Sequence, residues 1–428
     1  MGEHEGLGFV GKTALWLFLA GLFASSFLAL RVGAFSIGDV LLIASALFLL
    51  AEPRSTDAAP GSPRTQVVFF LLLIGGLLAA FRSTDPGSDL ATIVRLLYLV
   101  CVLPWQARVL LRNAEGLRRG MIWFVAGGAL SVGGSLLQYA FGASVIPNSM
   151  VTNAGRYSGF TSHVSDTGGI ACVVIVAAVA GLASKSGRGA RLSMLAAVVL
   201  SAIGLILSGS VAGMLSATVG VVYLVLKGNI GWGRAVVLAV SASVIGLAAI
   251  RLQQATGVAL SPTERLLQAL GLTGSADGLN TTASRLDTIR TGLAGIADSP
   301  IFGAGIDPES ARVVGDLAVH NLYISSFYQG GVLVFVAMVV VTWSAFRRLW
   351  ARGMPQVVVQ AQAGFLTALV FAMTAPSFYN RYFWIPVALA AVASMVELSS
   401  ASDAGLGRRP LDLGILASQP SSSRAVRR

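Results

Sequence analysis

Apolar runs of about 17–22 residues recur along most of the chain, each long enough to cross a hydrocarbon core of roughly 30 Å. A water-soluble core would instead ask for amphipathic stripes, with polar residues returning at every turn. Composition agrees: 55% of the 428 residues are hydrophobic and only 11% are charged, against roughly 25% charged in soluble domains. The chain therefore reads as an all-α, polytopic membrane protein. Twelve spans are predicted, near 13–30, 35–51, 66–82, 90–106, 120–141, 166–184, 192–208, 211–226, 234–251, 320–343, 357–374 and 381–399. The first run, Thr13–Leu30, lacks a small-x-small cleavage site and reads as a retained helix.

These runs divide the sequence into helices one to nine (1–251), a large external loop (252–319), helices ten to twelve (320–399) and a disordered cytoplasmic tail (400–428). The distribution of basic residues orients them. With both termini inside, the short cytoplasmic connections hold 20 of the 30 basic residues, including every lysine. The opposite orientation would break the positive-inside rule at nearly every loop. The net charge of +11 is thus a signature of topology. It does not cluster as a nucleic-acid groove would require, so no nucleic-acid partner is expected.

The ten remaining basic residues are all arginine and fall outside or in the outer halves of spans, among them Arg95, Arg156, Arg285 and Arg381. Arginine is the side chain best shaped for bidentate contact with phosphate oxygens, so this excess suggests an anionic substrate. Each position also has an ordinary explanation. Arg95 lies within a span, where an unpaired charge is costly, and either faces a polar cavity or pairs with Asp85 or Asp89. Arg285 can snorkel or pair with Asp287, Arg156 can be a solvated loop residue, and Tyr379-Asn380-Arg381 can form an interfacial belt.

The external loop carries two helix signals. Ser261-Pro262-Thr263-Glu264 is a capping box, followed by Leu266, Leu267 and Leu270. Ser284 precedes a stripe of Leu286, Ile289, Leu293 and Ile296 that ends at Ser299-Pro300, and the glycine-rich stretch 271–280 between the two is expected to be mobile. Gly303-Ala304-Gly305 reads as a turn that aims the chain at His320, one of only three histidines. His320 stands at the start of the tenth run, where a group that takes a proton near neutral pH suggests chemistry; its alternative is a helix-capping role. His163 and Asp166 form a weak i,i+3 pair without further metal ligands, and Cys101 and Cys172 read as small buried apolar residues. No metal site or cofactor is expected.

Several strings occur in an informative order: Arg156-Tyr157-Ser158-Gly159-Phe160, then Ser208-Gly209-Ser210, then Arg285-Leu286-Asp287 leading to Asp298-Ser299-Pro300-Ile301-Phe302-Gly303-Ala304-Gly305, then His320-Asn321 with Gly330-Gly331. This resembles the O-antigen ligase and O-antigen polymerase family of bacterial membrane glycosyltransferases. The sequence departs from that pattern at Val211, where the family usually has arginine, and at Ser162–Asp166, which replaces an Asn-Pro-Asn string.

The resemblance implies transfer of a glycan from a polyprenyl-diphosphate donor to a hydroxyl of a glycan or lipid acceptor. The reaction would be metal-independent and would take place on the external face of the bacterial inner membrane. His320 would be the base, with Arg156, Arg285, Arg95, Arg381, Asn321 and Ser210 contacting diphosphate or glycan. The rival class is a secondary transporter or flippase of about twelve spans. That reading predicts two similar halves and ionisable residues at the midplane. The sequence instead divides nine to three and crowds its charges at the outer end.

Overall fold

The computed structural model describes residues 8–32, 35–52, 63–152, 155–184, 187–234, 276–307, 309–314, 317–351 and 353–403. Those residues are mostly helical. Helices α1 (Phe9–Ala24) and α2 (Ile37–Leu50) form a hairpin closed by two short antiparallel strands, β1 (Arg31–Val32) and β2 (Phe35–Ser36), with Arg31 opposite Ser36. Then follow α3 (Pro63–Ala80), α4 (Pro86–Leu97), α5 (Leu103–Leu110), α6 (Ala114–Phe141), α7 (Val164–Ala183), α8 (Arg188–Ser208) and α9 (Val211–Leu226). Beyond residue 275 come α10 (Ala276–Asp298), a hairpin of β3 (Arg312–Val314) and β4 (Leu317–Ala318), and then α11 (Leu322–Phe346), α12 (Gln356–Ala372) and α13 (Arg381–Asp403).

The starts of these helices follow from local chemistry. Ser36 opens α2 in a capping box with Asp39; Asp85 followed by Pro86 opens α4; Asn113, Ser210 and Asn321 cap α6, α9 and α11. Helices α4 and α5 are one continuous segment with a π-turn at Tyr98–Val102 between them. Pro104 has no N–H to return to Val100, and the Leu103 N–H reaches back five residues to the Tyr98 carbonyl instead.

Among the described residues, six segments are long and apolar enough to cross a membrane: α3, the continuous Pro86–Leu110, α6, α7, α8 and α11. Helices α1, α2, α9 and α12 are apolar but shorter. Helix α7 is the hub, buried along most of its length against α6, α8, α9, α12 and α13. Helices α3 and α8 instead expose large apolar side chains such as Phe70, Leu77, Leu192 and Leu195. Such surfaces suit lipid, not water. Helix α1 crosses α6 so closely that a Cβ on Gly127 would overlap the Phe23 carbonyl.

Each predicted run within the described residues coincides with a helix, shifted by a few residues; run nine and the 261–270 capping-box helix lie outside them. The structure corrects the loop in two respects. Helix α10 does not begin at Ser284 but runs through it from Ala276, so half of the expected mobile linker is helical. Gly278 is the lone glycine in the helical half, 276–280, at a cost of about 1 kcal/mol relative to alanine. The loop also contains the β3–β4 hairpin, which sequence patterning did not announce. At the other end α13 continues to Asp403, past the expected boundary of the tail at 400.

Helix α11 is broken at Gly331 (φ 66°, ψ −170°), and the segment after α10 is sewn into the break. The Ala304 and Gly305 N–H groups donate to the Tyr328 and Gln329 carbonyls at 2.8 and 3.1 Å, while Val332 N–H donates to the Pro300 carbonyl at 2.9 Å. Backbone groups freed by the kink are thus satisfied by another backbone segment, as an apolar surround demands. The approach needs glycine on both sides: a Cβ on Gly303 would overlap the Gln329 carbonyl, and one on Gly331 the Ile301 carbonyl. Gly331→Ala should therefore lower the melting temperature in detergent well below that of Gly228→Ala. Gly228 has a similar φ of 69° but open space around it, so it carries the backbone strain of about 1–3 kcal/mol without the overlap. Equal shifts for the two variants would remove the stitch as a source of stability.

Candidate functional site

Most of the singled-out side chains meet at one end of the bundle, where α2, α4, α7, α11 and α13 begin. His320 leaves the β3–β4 hairpin one residue before the cap of α11. Asn321 accepts from the N–H groups of Tyr323 and Ile324 at 3.0 and 3.1 Å, and its amide donates to the Met373 carbonyl at 3.2 Å. This one side chain both starts α11 and ties it to the end of α12.

The His320 ring faces α10. Its Nδ1 lies 3.4 Å from Thr288 Oγ1, whose hydroxyl donates to the Arg285 carbonyl at 2.8 Å. Burial pushes the imidazole down, the nearby Arg285 charge adds to this, a hydrogen bond with Ala318 opposes it, and the result is a pKa of about 4. His320 is thus neutral at neutral pH, the form that can accept a proton. His163 is also within its electrostatic reach. Its Nδ1 caps α7 by accepting from Ser165 N–H at 3.1 Å, so the local hydrogen bond at His163 goes to the helix N-terminus. The ring edge is open to solvent, yet the protein around it and the Arg156 charge hold its pKa below the usual histidine value.

Arg156 joins two of the sequence strings. Its Nε donates to the Ser208 carbonyl at 2.6 Å, and the side chain lies against Gly209, which has φ 58°. The segment carrying Arg156 is fixed there by Tyr157 N–H donating to the Leu207 carbonyl at 3.1 Å. Ser210 caps α9, accepting from Gly213 N–H at 3.2 Å, and is buried against Gly168 of α7. Its role in this structure is to hold a helix start. Val211, the first residue of α9, follows it.

A second group of charges adjoins the first through α7. Arg381 is buried and makes a bidentate ion pair with Asp39, with Nε to Oδ1 at 2.6 Å and Nη2 on Oδ2. The same Asp39 carboxylate closes the capping box of α2 on Ser36 N–H at 2.8 Å. Asp166, one turn into α7, accepts from Asn380 at 3.3 Å and from Ser162 at 3.3 Å. Arg95 is exposed, has Asp39, Asp166, Arg381 and Tyr379 within electrostatic reach, and its guanidinium is hydrogen-bonded to none of the described residues.

The counterions differ from those the sequence suggests. Asp85 caps α4, and buried Asp89 accepts from Ile306 N–H at 2.7 Å, so neither pairs with Arg95. Six residues along a helix is about 240° of rotation, which turns Asp89 away from Arg95. Asp287 pairs with Arg290 at 3.5 Å, one turn on, and not with Arg285 two residues before it. Arg381 is no snorkelling belt residue, because Asp39 holds it inside.

Two residues at the centre of this arrangement escaped the sequence reading. Asp39 was legible as the acid of a Ser36-x-x-Asp39 capping box, but nothing local points it at Arg381. Gln329 shares the Tyr379 hydroxyl with the Ile306 carbonyl, which anchors the loop after α10 to the last outer connection. Arg82 and Ser83, between α3 and α4, hold the same loop through Ser299 at 2.8 Å and Asp307 at 3.2 Å. Among the described residues, no group of three or more His, Cys, Asp or Glu side chains is placed to hold a metal ion.

A family model described as O-antigen ligase matches residues 196–339. The match runs from within α8 to within α11 and takes in Ser208–Ser210, Arg285, the Gly303–Gly305 stitch and His320–Asn321. Arg95, Arg156 and Arg381 lie outside it. No curated protein matches the chain.

Removing one member of a buried pair strands the other. Asp39→Ala is expected to cost on the order of 3–5 kcal/mol, read as a lower melting temperature in detergent, whereas Asp39→Leu combined with Arg381→Met should recover most of it. A double variant as unstable as the single one would contradict this account.

Proposed function

Residues 196–339 match the O-antigen ligase family, and from that premise we propose that this protein is a membrane glycosyltransferase acting on a polyprenyl-diphosphate-linked glycan. The chain crosses the bacterial inner membrane twelve times with both termini in the cytoplasm, the ninth crossing being 234–251. The segment 252–319 lies outside, so His320, Arg156, Arg285, Arg95 and Arg381 share the external face. The acceptor is a hydroxyl of a glycan or lipid.

The observation that carries this reading is the neutral, half-buried His320 beside Arg285, with Arg156 nearby across His163. Transfer requires the acceptor oxygen to bond to the anomeric carbon while the bond from that carbon to the diphosphate breaks. The bonding electrons leave with the diphosphate, and the acceptor proton must go to a base. Thr288 commits its hydroxyl proton to the Arg285 carbonyl, which leaves its oxygen to accept from Nδ1–H of His320. That favours the tautomer with a free Nε2 lone pair, the atom assigned here to take the proton.

Arg285 and Arg156 oppose the charge that develops on the leaving diphosphate. Arg95, lacking a hydrogen-bonded partner among the described residues, is the arginine of the second group best placed to meet an anion. Arg381 and Ser210, engaged with Asp39 and the α9 cap, act by holding the site together. Direct displacement inverts the anomeric carbon. The position at Val211, where family members usually carry arginine, leaves Arg156 as the cation at the Ser208–Ser210 turn.

His320→Ala should leave the protein in the membrane, reduce glycan transfer by about 10²–10⁴-fold and cause lipid-linked precursor to accumulate on the outer face. Unchanged transfer would remove His320 from the chemistry, and accumulation on the inner face would favour a flippase. The pH profile gives a second check. A base works when neutral, so kcat/KM should hold steady above the lowered histidine pKa and fall as pH drops through about 4. Arg285→Gln removes a positive neighbour and should move that acid limb to higher pH; an unmoved limb would separate Arg285 from His320.

A further inference from the structure

The opposite end of the bundle holds a second site that the transferase reading does not use. A cavity of about 440 Å³ opens between the start of α3, the end of α5, the end of α11 and the middle of α13. Four arginines line it: Arg64 from α3, Arg108 from α5, and Arg347 and Arg348 just after α11. The remaining walls are largely aliphatic, with Val100, Val340 and Val387 among them. His320 precedes α11 and Arg347 follows it, so the cavity lies about one helix length, roughly 37 Å, from the candidate site.

Topology alone would scatter arginines over this end, and many basic residues near the spans do just that. This group differs in how it converges. It comes from three separate helices onto one crevice, whose described lining includes no acidic side chain. Among the described residues the guanidinium groups of Arg64, Arg108 and Arg347 have no hydrogen bond or ion pair, and that of Arg348 makes only a long contact of 3.4 Å to the Ser394 carbonyl. Glu397 lies within electrostatic reach of Arg348 but outside the lining. The level is that of a membrane interface, for the exposed Trp343 and Trp350 stand on either side of the Arg347–Arg348 pair.

Guanidinium groups above aliphatic walls, between helices and at an interface, match one ligand chemistry: a phosphodiester head with hydrocarbon chains. We propose that this crevice binds an acidic glycerophospholipid of the surrounding bilayer. The phosphate sits among Arg64, Arg108, Arg347 and Arg348, and an acyl chain runs down between α11 and α13. Val387, Ala391, Ser394 and Met395 present the α13 face of that channel, spaced as one helical stripe. A lipid held there would join α3, α5, α11 and α13 from the end remote from His320.

The test is native mass spectrometry of the full-length protein in detergent, titrated separately with phosphatidylglycerol and phosphatidylcholine. Phosphatidylglycerol should be retained at least about tenfold better. Arg108→Gln with Arg348→Gln should weaken it by about thirtyfold, the expected effect of two surface arginines. Should that pair fail to fold, Arg64→Gln with Arg347→Gln, both at exposed positions, carries the same expectation. Arg118→Gln with Arg119→Gln removes equal charge from the start of α6, outside the crevice, and should change nothing. Equal retention of the two lipids, or equal losses in crevice and control variants, would overturn the proposal. So would displacement of the bound lipid by excess inorganic phosphate, which would mark a site for a free anion.

Discussion

A polypeptide in an apolar surround must satisfy its backbone hydrogen bonds internally, and this chain meets that demand in an unusual way at Gly331. The break in α11 frees the Tyr328 and Gln329 carbonyls and the Val332 N–H, and the segment 300–305 supplies partners for all three. That segment follows α10, which carries Arg285 and Thr288, while α11 starts just after His320. Joining the two by backbone bonds fixes the histidine relative to the arginine. Arg82, Ser83, Asp89 and Tyr379 then hold the flanking residues Ser299, Ile306 and Asp307 from α3, α4 and the last outer connection. The positions of four helices around the candidate site depend on one mutual approach of glycines.

The second organising constraint is charge. Arginines gathered at one end repel each other unless anions stand among them, and the chain provides two built-in carboxylates, Asp39 and Asp166. Asp39 serves α2 as a cap and Arg381 as a counterion, which couples the first hairpin to the last helix. Asp166 is held by Asn380 and Ser162 and stands within reach of both Arg381 and Arg95. The balance is local around Arg381 and more open around Arg95. Around His320 and His163 the neighbouring charges that act on the imidazoles are those of Arg285 and Arg156.

The two ends of the bundle also differ in kind. At the His320 end the arginines are mixed with carboxylates, amides, hydroxyls and imidazoles, the equipment for orienting a polar substrate. At the other end Arg64, Arg108, Arg347 and Arg348 ring a largely aliphatic crevice whose described lining adds a few hydroxyls but no carboxylate, amide or imidazole. The same residue type thus stands among hydrogen-bonding side chains at one end and against aliphatic walls at the other.

Much was readable in advance. Hydropathy gave the helical runs, since a span must be apolar over its whole length. Capping is as local, since Ser36, Asp85, Ser210 and Asn321 bond to backbone only two or three residues away, but the two starts read from it, Ser261 and Ser284, fall outside the described residues and inside α10. Motif order drew attention to Arg156, Arg285 and His320. What the sequence could not decide was pairing. Asp39 and Arg381 lie 342 residues apart, and the arginine was as easily read as an interfacial one. Arg95 was open between a polar cavity and a pair with Asp85 or Asp89, and those two acids bond to Ser88 N–H and Ile306 N–H instead. The β3–β4 hairpin and the reach of α10 back to Ala276 were equally hidden. Local sequence determined the membrane class and the helices of the described runs because those depend on short-range burial and hydrogen bonding. Only the tertiary structure decided which charges meet: helices apolar on every side carry no stripe to say which face turns inward, and that rotation is set by packing.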